Sequence, residues 1–238
     1  MLVKEFNKDT KTFFAVECQK RLYKKISKYQ KIEIYASKYF GNILLLQDCF
    51  MLTEKNSNQY KETCINIIRK KKLDNILIIG GGDYEIAHHL FENKIIKKLS
   101  IVEIDYDVVK SCNKYFPLNH KLKKNEKNKI NLIIDDGYKW LKEYTGSLFD
   151  LIIIDCTDPD TSAGILYSSK FYKIVNERLK RKGIFIQQSG SPLLHEKNLI
   201  KPIRKKLEIC SFDNIKTVKF PMPIYPSGTW SFIHCKKA

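Results

Sequence analysis

The feature that most restricts the fold of this chain is an alternation, from residue 73 onward, of short apolar runs with segments of helical spacing. The apolar runs have about 4 to 8 residues, the length of a buried strand. Such alternation is typical of a parallel sheet with helices on both faces. It predicts an α/β fold with a doubly wound sheet, and the strand-like runs are NILIIGGG, LSIVEID, KINLIID, FDLIIID and GIFIQQSG.

The residues ahead of this pattern predict a small β-rich region. Short strands are expected between about Phe13 and Thr53, with KIEIYAS and NILLLQ the clearest and a turn at residues 40–42 between them. A connecting helix is predicted after Glu54, because Asn or Ser precedes apolar positions at helical spacing and the last turn is basic.

The tail beyond the alternating region predicts a helix near residues 199–207 and two strands near 215–220 and 229–235. The chain has 238 residues, enough for one substantial core and a smaller appendage. We therefore predict an N-terminal β-strand domain over residues 1–55 and a larger α/β domain over residues 56–238.

Composition argues against a membrane protein and against a metal site. The apolar runs are far shorter than the roughly 20 residues that cross a bilayer. The first residues lack the pattern of a signal peptide, so we expect a cytoplasmic protein.

The seven cysteines have no CxxC spacing, and their odd number prevents complete internal pairing. Buried free thiols are the expected state, and no metal is expected.

The formal net charge of +17 is compatible with a nucleic-acid surface, because clustered basic side chains neutralise phosphates. However, the lysine runs are expected at helix ends or in loops, and they lack the interleaved aromatic residues that stack on single strands. The pattern favours a solvated surface without a nucleic-acid partner. The runs lie at residues 70–72, 120–129 and 180–182.

Acidic residues follow the first four predicted strands of the α/β region, at the edge where open sheets bind ligands. A single such residue is more simply explained as a helix cap. The same feature on four strands indicates a ligand with positive charge. The strand ends are Gly80, Gly81, Gly82 and Asp83; Glu103 and Asp105; Asp135 and Asp136; and Asp155 and Asp158.

The glycine turn after the first strand differs from the GxGxxG motif of dinucleotide sites, since Tyr84 and Glu85 follow Asp83. Negative charge at a helix start disfavours a pyrophosphate. Glu103 lies about 20 residues downstream, where a carboxylate accepts the ribose hydroxyls. A nucleoside with a positive sulfonium fits both features, and S-adenosylmethionine and its decarboxylated form are the candidates.

The segment IIIDCTDPD is the most specific motif. It places Asp155 and Asp158 three residues apart at a strand end, and Pro159 restricts the backbone that follows. A diamine enters as a dication, so one carboxylate has to bind it and another has to accept a proton before the nitrogen attacks. A turn with only a structural role is the alternative.

Taken in order, these motifs resemble those of the spermidine synthase family, from about Ile32 to the C-terminus. The segment FGNILLLQDCFMLTEKNSNQYKE is similar to the family's N-terminal hairpin and the start of its connecting helix. The resemblance implies a Rossmann-like, doubly wound sheet of the class I methyltransferase type. ILIIGGGD resembles the family's glycine-rich turn, IVEID its ribose-binding acid, DDGYKWL its adenine-side motif, DCTDP its catalytic loop and YPSGTWSF its C-terminal motif.

The resemblance also implies the reaction and the roles of individual residues. Asp155 would be the general base, Tyr60 would orient it, and Glu103 would bind the ribose. Decarboxylated S-adenosylmethionine would be a co-substrate, putrescine would be the acceptor, no cofactor would be needed, and the enzyme would be a homodimer. The remaining positions are Gly80, Gly82 and Gly137 at the nucleoside, Asp136 at the adenine amino group, Asp83 and Asp158 at the aminopropyl end, and Tyr225 in the diamine pocket.

The chain departs from the family's pattern mainly around the diamine end. Tyr84 and Glu85 stand where the family usually has two glycines, which predicts a narrower or reshaped pocket. The other replacements are Met51 for a hairpin glutamine, Asn56 and Ser57 for an acidic pair, and Thr161 and Ser162 for a glycine-proline pair.

Two other functions stay open on the sequence. One is a methyltransferase that uses intact S-adenosylmethionine, with RNA as a substrate in view of the charge; Asp83 and Asp158 would oppose the methionine carboxylate electrostatically. The other is a non-catalytic nucleoside-binding or RNA-binding module that has kept the fold.

Overall fold

The computed structural model describes residues 1–8, 10–68, 73–93, 96–116 and 124–238. The basic run at 70–72, the basic last turn predicted for the connecting helix and part of the run at 120–129 lie outside the described residues.

The elements occur in the order that the sequence pattern predicts, with additions at the N-terminus. The strands are β1 (Leu2–Asn7), β2 (Thr12–Glu17), β3 (Lys20–Ile26), β4 (Lys31–Ser37), β5 (Gly41–Leu46), β6 (Cys49–Thr53), β7 (Asn75–Gly80), β8 (Lys98–Glu103), β9 (Ile130–Ile134), β10 (Phe149–Asp155), β11 (Leu179–Gln188), β12 (Phe212–Pro221) and β13 (Thr229–Lys237). The helices are α1 (Asn58–Ile68), α2 (Glu85–Asn93), α3 (Tyr106–Tyr115), α4 (Lys124–Lys127), α5 (Gly137–Glu143), α6 (Ser169–Arg178) and α7 (Lys201–Ile209), with a 3-10 helix at Ser162–Tyr167 and a π-helix at Glu196–Ile200.

The central sheet has the strand order β12-β13-β11-β10-β7-β8-β9. Five neighbouring strands of this sheet are parallel, namely β11, β10, β7, β8 and β9. Beyond β11, β13 pairs antiparallel with β11, and β12 pairs antiparallel with β13. The chain order reverses between β7 and β10, which is the switch point where doubly wound sheets form a ligand crevice. The predicted α/β fold is confirmed, and the tail strands make the sheet mixed.

Helices cover both faces of this sheet because β7 is apolar and buried throughout. Alternate side chains of a strand point to opposite faces. Ile76 and Ile78 accordingly share a core with α1 and α2, whereas Leu77 and Ile79 share a core with α5, α6 and α7. None of the described helices is long and apolar enough to cross a membrane.

The N-terminal strands form a small β unit that packs on the main sheet's helices. β3 to β6 make a four-stranded antiparallel sheet, and β1 and β2 make a separate hairpin. Ile34 and Leu44 of the four-stranded sheet pack against Val108 and Cys112 of α3. The division of the chain into domains at residue 55 stays a prediction.

Three local predictions were wrong. Strands begin at Leu2 rather than near Phe13, and Gly41, predicted in a turn, begins β5 with φ +69°. The run at 180–182, predicted at a helix end or in a loop, lies inside β11. A register shift in the pairing of β10 with β11 accompanies it, and Lys182 has a positive φ, so the charged residues stay largely exposed within the strand.

Candidate active site

A single cavity beyond the carboxyl ends of β7, β8, β9 and β10 brings together all ten residues predicted for the site. The empty space within it, counted together with open solvent at its mouth, is about 1210 Å³. The ten residues are Tyr60, Gly80, Gly82, Asp83, Glu103, Asp136, Gly137, Asp155, Asp158 and Tyr225.

The glycine turn holds the ends of β7 and β10 together. The Gly81 amide donates to the Asp155 carbonyl oxygen at 3.0 Å. Gly80 has φ +83°, and a Cβ atom there would lie 2.1 Å from that same carbonyl oxygen. A Cβ on Gly82 would come within 3.0 Å of the Glu103 carboxylate. The turn therefore requires glycine for its close approach to both neighbouring strands.

Glu103 ends β8 as a buried carboxylate that lines the cavity. Burial raises its pKa to about 7, partly offset by hydrogen bonds from the backbone of Asp105 and Gly82. Asp105 caps α3 and accepts hydrogen bonds from Ser27 at 2.6 Å and from Gln30 at 3.2 Å. Gln30 also lines the cavity, so the N-terminal sheet contributes a polar side chain that sequence reasoning missed.

Asp136 is exposed at the rim of the cavity and caps α5, where it accepts a hydrogen bond from the Lys139 amide at 3.0 Å. The helix-cap explanation therefore holds for Asp136 as it does for Asp105. A carboxylate has lone pairs beyond the one that caps a helix, so capping and ligand binding are compatible. Gly137 follows, and a Cβ there would lie 2.2 Å from the side chain of Ile79.

Asp155 and Tyr60 form the centre of the cavity. The Tyr60 hydroxyl, on α1, donates to Asp155 Oδ1 at 2.6 Å. The Tyr60 ring is fixed by edge contacts with Phe220 and Phe232. Burial and the charge of Asp83 raise the pKa of Asp155 to about 8, although the bond from Tyr60 acts in the opposite direction. A carboxyl with such a pKa accepts and releases a proton near neutral pH.

Asp158 is oriented by Gln188, a buried residue at the end of β11 that sequence reasoning did not select. The Gln188 amide donates to Asp158 at 3.1 Å, and its oxygen accepts from the Trp230 indole at 3.0 Å. Burial raises the pKa of Asp158 as well. Gln188 followed a predicted strand, and its place at the same sheet edge was the signal that could have identified it.

Glu5 is a carboxylate that sequence reasoning missed. It lies on β1, lines the cavity, and accepts a hydrogen bond from the Phe50 amide at 2.8 Å. Burial raises its pKa to about 7, and the charge of Asp158 adds to this effect. Tyr225 closes the same end and donates its hydroxyl to the Met51 carbonyl at 2.8 Å.

The cavity is therefore acidic and poorly solvated, with six carboxyls in or beside it whose pKa values are raised chiefly by burial. A cationic ligand would relieve this repulsion and favour their ionised forms. All seven cysteines are free. In the described part of the chain, His, Cys, Asp and Glu side chains form no group that could hold a metal ion. The six carboxyls are Glu5, Asp83, Glu85, Glu103, Asp155 and Asp158.

Known proteins share this architecture. Among solved structures, a spermidine synthase in complex with the transition state analogue AdoDATO has a TM-score of 0.91 and 24% sequence identity. The spermidine synthase from Thermotoga maritima has a TM-score of 0.89 and 23% identity. In both comparisons all of this chain and 80% of the other chain are covered, which establishes the fold.

Sequence comparison identifies the family. The polyamine aminopropyltransferase of Thioalkalivibrio sulfidiphilus is 34% identical over 92% of this chain and 78% of its own length. That of Methanocaldococcus jannaschii is 38% identical over 94% and 75%. The spermidine synthase tetramerisation domain matches residues 3–54, and the spermine/spermidine synthase domain matches residues 43–238. The chain belongs to the spermine/spermidine synthase family.

Proposed function

We propose that this protein is a transferase that moves the aminopropyl group of decarboxylated S-adenosylmethionine to putrescine, giving spermidine and methylthioadenosine. The observation that carries the proposal is the Asp155–Tyr60 pair, at 2.6 Å, inside the acidic cavity. Glu103 and Asp136 suit the ribose and adenine at one end of the cavity. Glu5 and Asp158 suit an ammonium group at the other.

The reaction is a direct displacement at carbon. A neutral amine of putrescine attacks the methylene beside the sulfonium, a nitrogen–carbon bond forms, and the carbon–sulfur bond breaks with its electron pair going to sulfur. The excess proton on nitrogen passes to Asp155, held by Tyr60. Alignment of the two reactants removes about 7 to 11 kcal/mol of barrier, and a positioned base contributes about 100- to 10,000-fold.

The acidic residues also suit the choice of donor. Asp83 and Asp158 would attract the free ammonium of the aminopropyl chain and repel the carboxylate of intact S-adenosylmethionine. We therefore expect the decarboxylated donor to bind more tightly than the carboxylated one by calorimetry. Equal or reversed affinities would contradict this electrostatic argument and favour the methyltransferase.

An activity assay tests the function directly. Purified protein is incubated with each sulfonium donor and a panel of amines, and the products are identified by mass spectrometry. Spermidine from putrescine and the decarboxylated donor alone is the expected result. A methylated product would establish the methyltransferase, and nucleoside binding without any product would indicate a non-catalytic module. Cadaverine, diaminopropane and spermidine belong in the panel, because they compare acceptors of different length.

The match of residues 3–54 to a tetramerisation domain supports self-association. We propose a homodimer as the smallest assembly, a cytoplasmic location, and a reaction without a metal or further cofactor. Sedimentation equilibrium tests the first of these, and activity after exhaustive dialysis against chelator tests the last.

A further inference from the structure

A buried ionic cluster lies beside the cavity, built from Ser57, Lys61 and Glu85. The Ser57 hydroxyl donates to Glu85 Oε1 at 2.7 Å, and the Lys61 ammonium lies 3.2 Å from the same oxygen. Ser57 is 3% exposed and Glu85 is 5% exposed. Charge-assisted hydrogen bonds of this kind are strong when they are shielded from water, so the cluster fixes the elements that carry it.

Those elements are the first turn of α1 and the start of α2. Ser57 directly precedes α1, and Lys61 lies four residues later, on the same face of the helix. Tyr60 is in this same turn and donates to Asp155. Asn or Ser was predicted to cap this helix, and the Ser57 hydroxyl is directed to Glu85 instead. Glu85 therefore holds the turn that presents Tyr60.

Glu85 also holds the donor side of the site. Its backbone amide donates to Asp83 Oδ1 at 2.8 Å. Tyr84, between them, has φ +62°, which a residue with a side chain adopts only where its surroundings compel it. Glu85 is thus hydrogen-bonded through its side chain to the start of the helix that carries Tyr60 and through its backbone amide to Asp83.

We infer that Glu85 is a positioning residue for the proposed transfer. It fixes the position of the Tyr60–Asp155 pair relative to Asp83. The inference rests on the proposed function. Glu85 and Ser57, which meet in this contact, are both among the positions where the resemblance implies another residue type.

The test compares Glu85→Ala, Glu85→Gln and Glu92→Ala, each alone and in a Tyr60→Phe background. Glu92 is on the same helix, and its side chain is 53% exposed, so it is the matched control. Glu85→Ala should lower kcat about 10- to 100-fold, since displacement of a reacting group by about 1 Å has effects of this size. Glu85→Gln keeps an acceptor oxygen for Ser57 and should restore most of the rate. The control should match the wild-type protein.

The double variants separate positioning from a general structural role. If Glu85 acts through Tyr60, Glu85→Ala should lower kcat by less than about 3-fold once Tyr60 is Phe, because residues of one network are not additive. An equal loss in both backgrounds would overturn the inference, as would an unchanged kcat in Glu85→Ala.

Hydrogen exchange measured by mass spectrometry tests the contact without any reaction. Backbone amides in the first two turns of α1 should exchange faster in Glu85→Ala than in the wild type. Unchanged exchange there would show that the contact of Glu85 with Ser57 and Lys61 does not fix this helix. A wild-type protein that makes no spermidine would defeat the proposed function, and the exchange measurement would still decide whether Glu85 fixes α1.

Discussion

At the scale of single residues, the proposed base is a carboxyl kept in surroundings that favour its neutral form. Asp155 has its pKa raised to about 8 by burial and by the charge of Asp83. The ordinary value near 4 would leave it ionised but a weak base at neutral pH. A base with a pKa close to the working pH combines a usable ionised fraction with a real affinity for protons.

Asp155→Asn should therefore lower kcat by about 100-fold or more, because an amide of the same shape cannot accept the ammonium proton. Donor binding should change little. Glu103→Gln is the contrasting variant, since loss of a charge-assisted acceptor should weaken donor binding by about 1.5 to 3 kcal/mol. Near-full activity of Asp155→Asn with saturating putrescine at neutral pH would show that another group is the base.

The pH profile of the wild type follows from the same residue. Asp155 acts only when ionised, so kcat/KM should rise with pH through an apparent pKa near 8, well above that of an ordinary carboxyl. A kcat/KM that is flat over the measured range, as expected for a base with an ordinary pKa near 4, would contradict the raised pKa. The measurement is of initial rates between pH 5.5 and 9.5, with the donor and acceptor concentrations varied separately.

Glu5 gives a separate prediction for the acceptor. It shares the acidic end of the cavity with Asp158, whose charge contributes to the raised pKa of Glu5. Glu5→Gln keeps the hydrogen bond from the Phe50 amide but removes the charge, so KM for putrescine should increase about 10-fold or more. Affinity for methylthioadenosine, measured by calorimetry, should stay unchanged. An equal loss of nucleoside affinity would show that Glu5 supports the fold rather than the amine.

The sequence identified the residues at the ends of predicted strands, because the position of a strand end in a parallel sheet follows from topology. Tyr60 and Tyr225 came from the family resemblance. Glu5 and Gln30 were missed because they come from the N-terminal sheets, and no local pattern indicates that these sheets fold over the cavity. Their contribution depends on packing between elements far apart in the chain.

At the scale of elements, the glycine turn joins the strands that carry the reaction. Gly80 and Gly228 have similar backbone conformations, with φ +83° and +65°, but only Gly80 is crowded. A Cβ at Gly80 would lie 2.1 Å from the Asp155 carbonyl oxygen, whereas nothing lies within 4 Å at Gly228.

Gly228→Ala should therefore lower the free energy of unfolding by only about 1 to 2 kcal/mol, the cost of a left-handed conformation for alanine. Gly80→Ala adds a backbone clash that neither strand can relieve, and it should lower stability by more than about 4 kcal/mol. Urea denaturation compares the two variants. Similar losses would show that the turn can shift away from β10.

The elements themselves were predicted well where one principle dominates. Buried parallel strands have continuous apolar runs, so β7 to β10 were evident. β1 was missed because Phe6 stays exposed and pairs with the exposed Phe13 across the hairpin at 5.0 Å, without the clean alternation of a half-buried strand. In β11, the charged residues 180–182 resembled a helix end. They lie at the register shift between Leu179 and Ile184, which both pair with β10, and this irregularity left no strand pattern in the sequence.

At the scale of the whole molecule, the charge of the surface opposes the charge of the cavity. The chain has a formal net charge of +17, while the cavity is lined by carboxyls and is proposed to receive two cationic substrates. The long-range field of the protein therefore repels what the cavity attracts at short range. Salt screens the exposed charges strongly and the buried ones much less.

Consequently, kcat/KM for putrescine should rise several-fold as ionic strength increases from about 0.01 M to 0.15 M, because the Debye length falls from about 30 Å to about 8 Å. Repulsion from the surface is then screened, whereas attraction by the carboxyls inside the cavity is largely retained. Methylthioadenosine is the control: it is uncharged at neutral pH, so its inhibition constant should not change over the same range. Initial rates in sodium chloride and in a second monovalent salt separate screening from specific ion binding. A kcat/KM that fell with salt would mean that the carboxyls at the mouth, rather than the lysine-rich surface, control the approach of the amine.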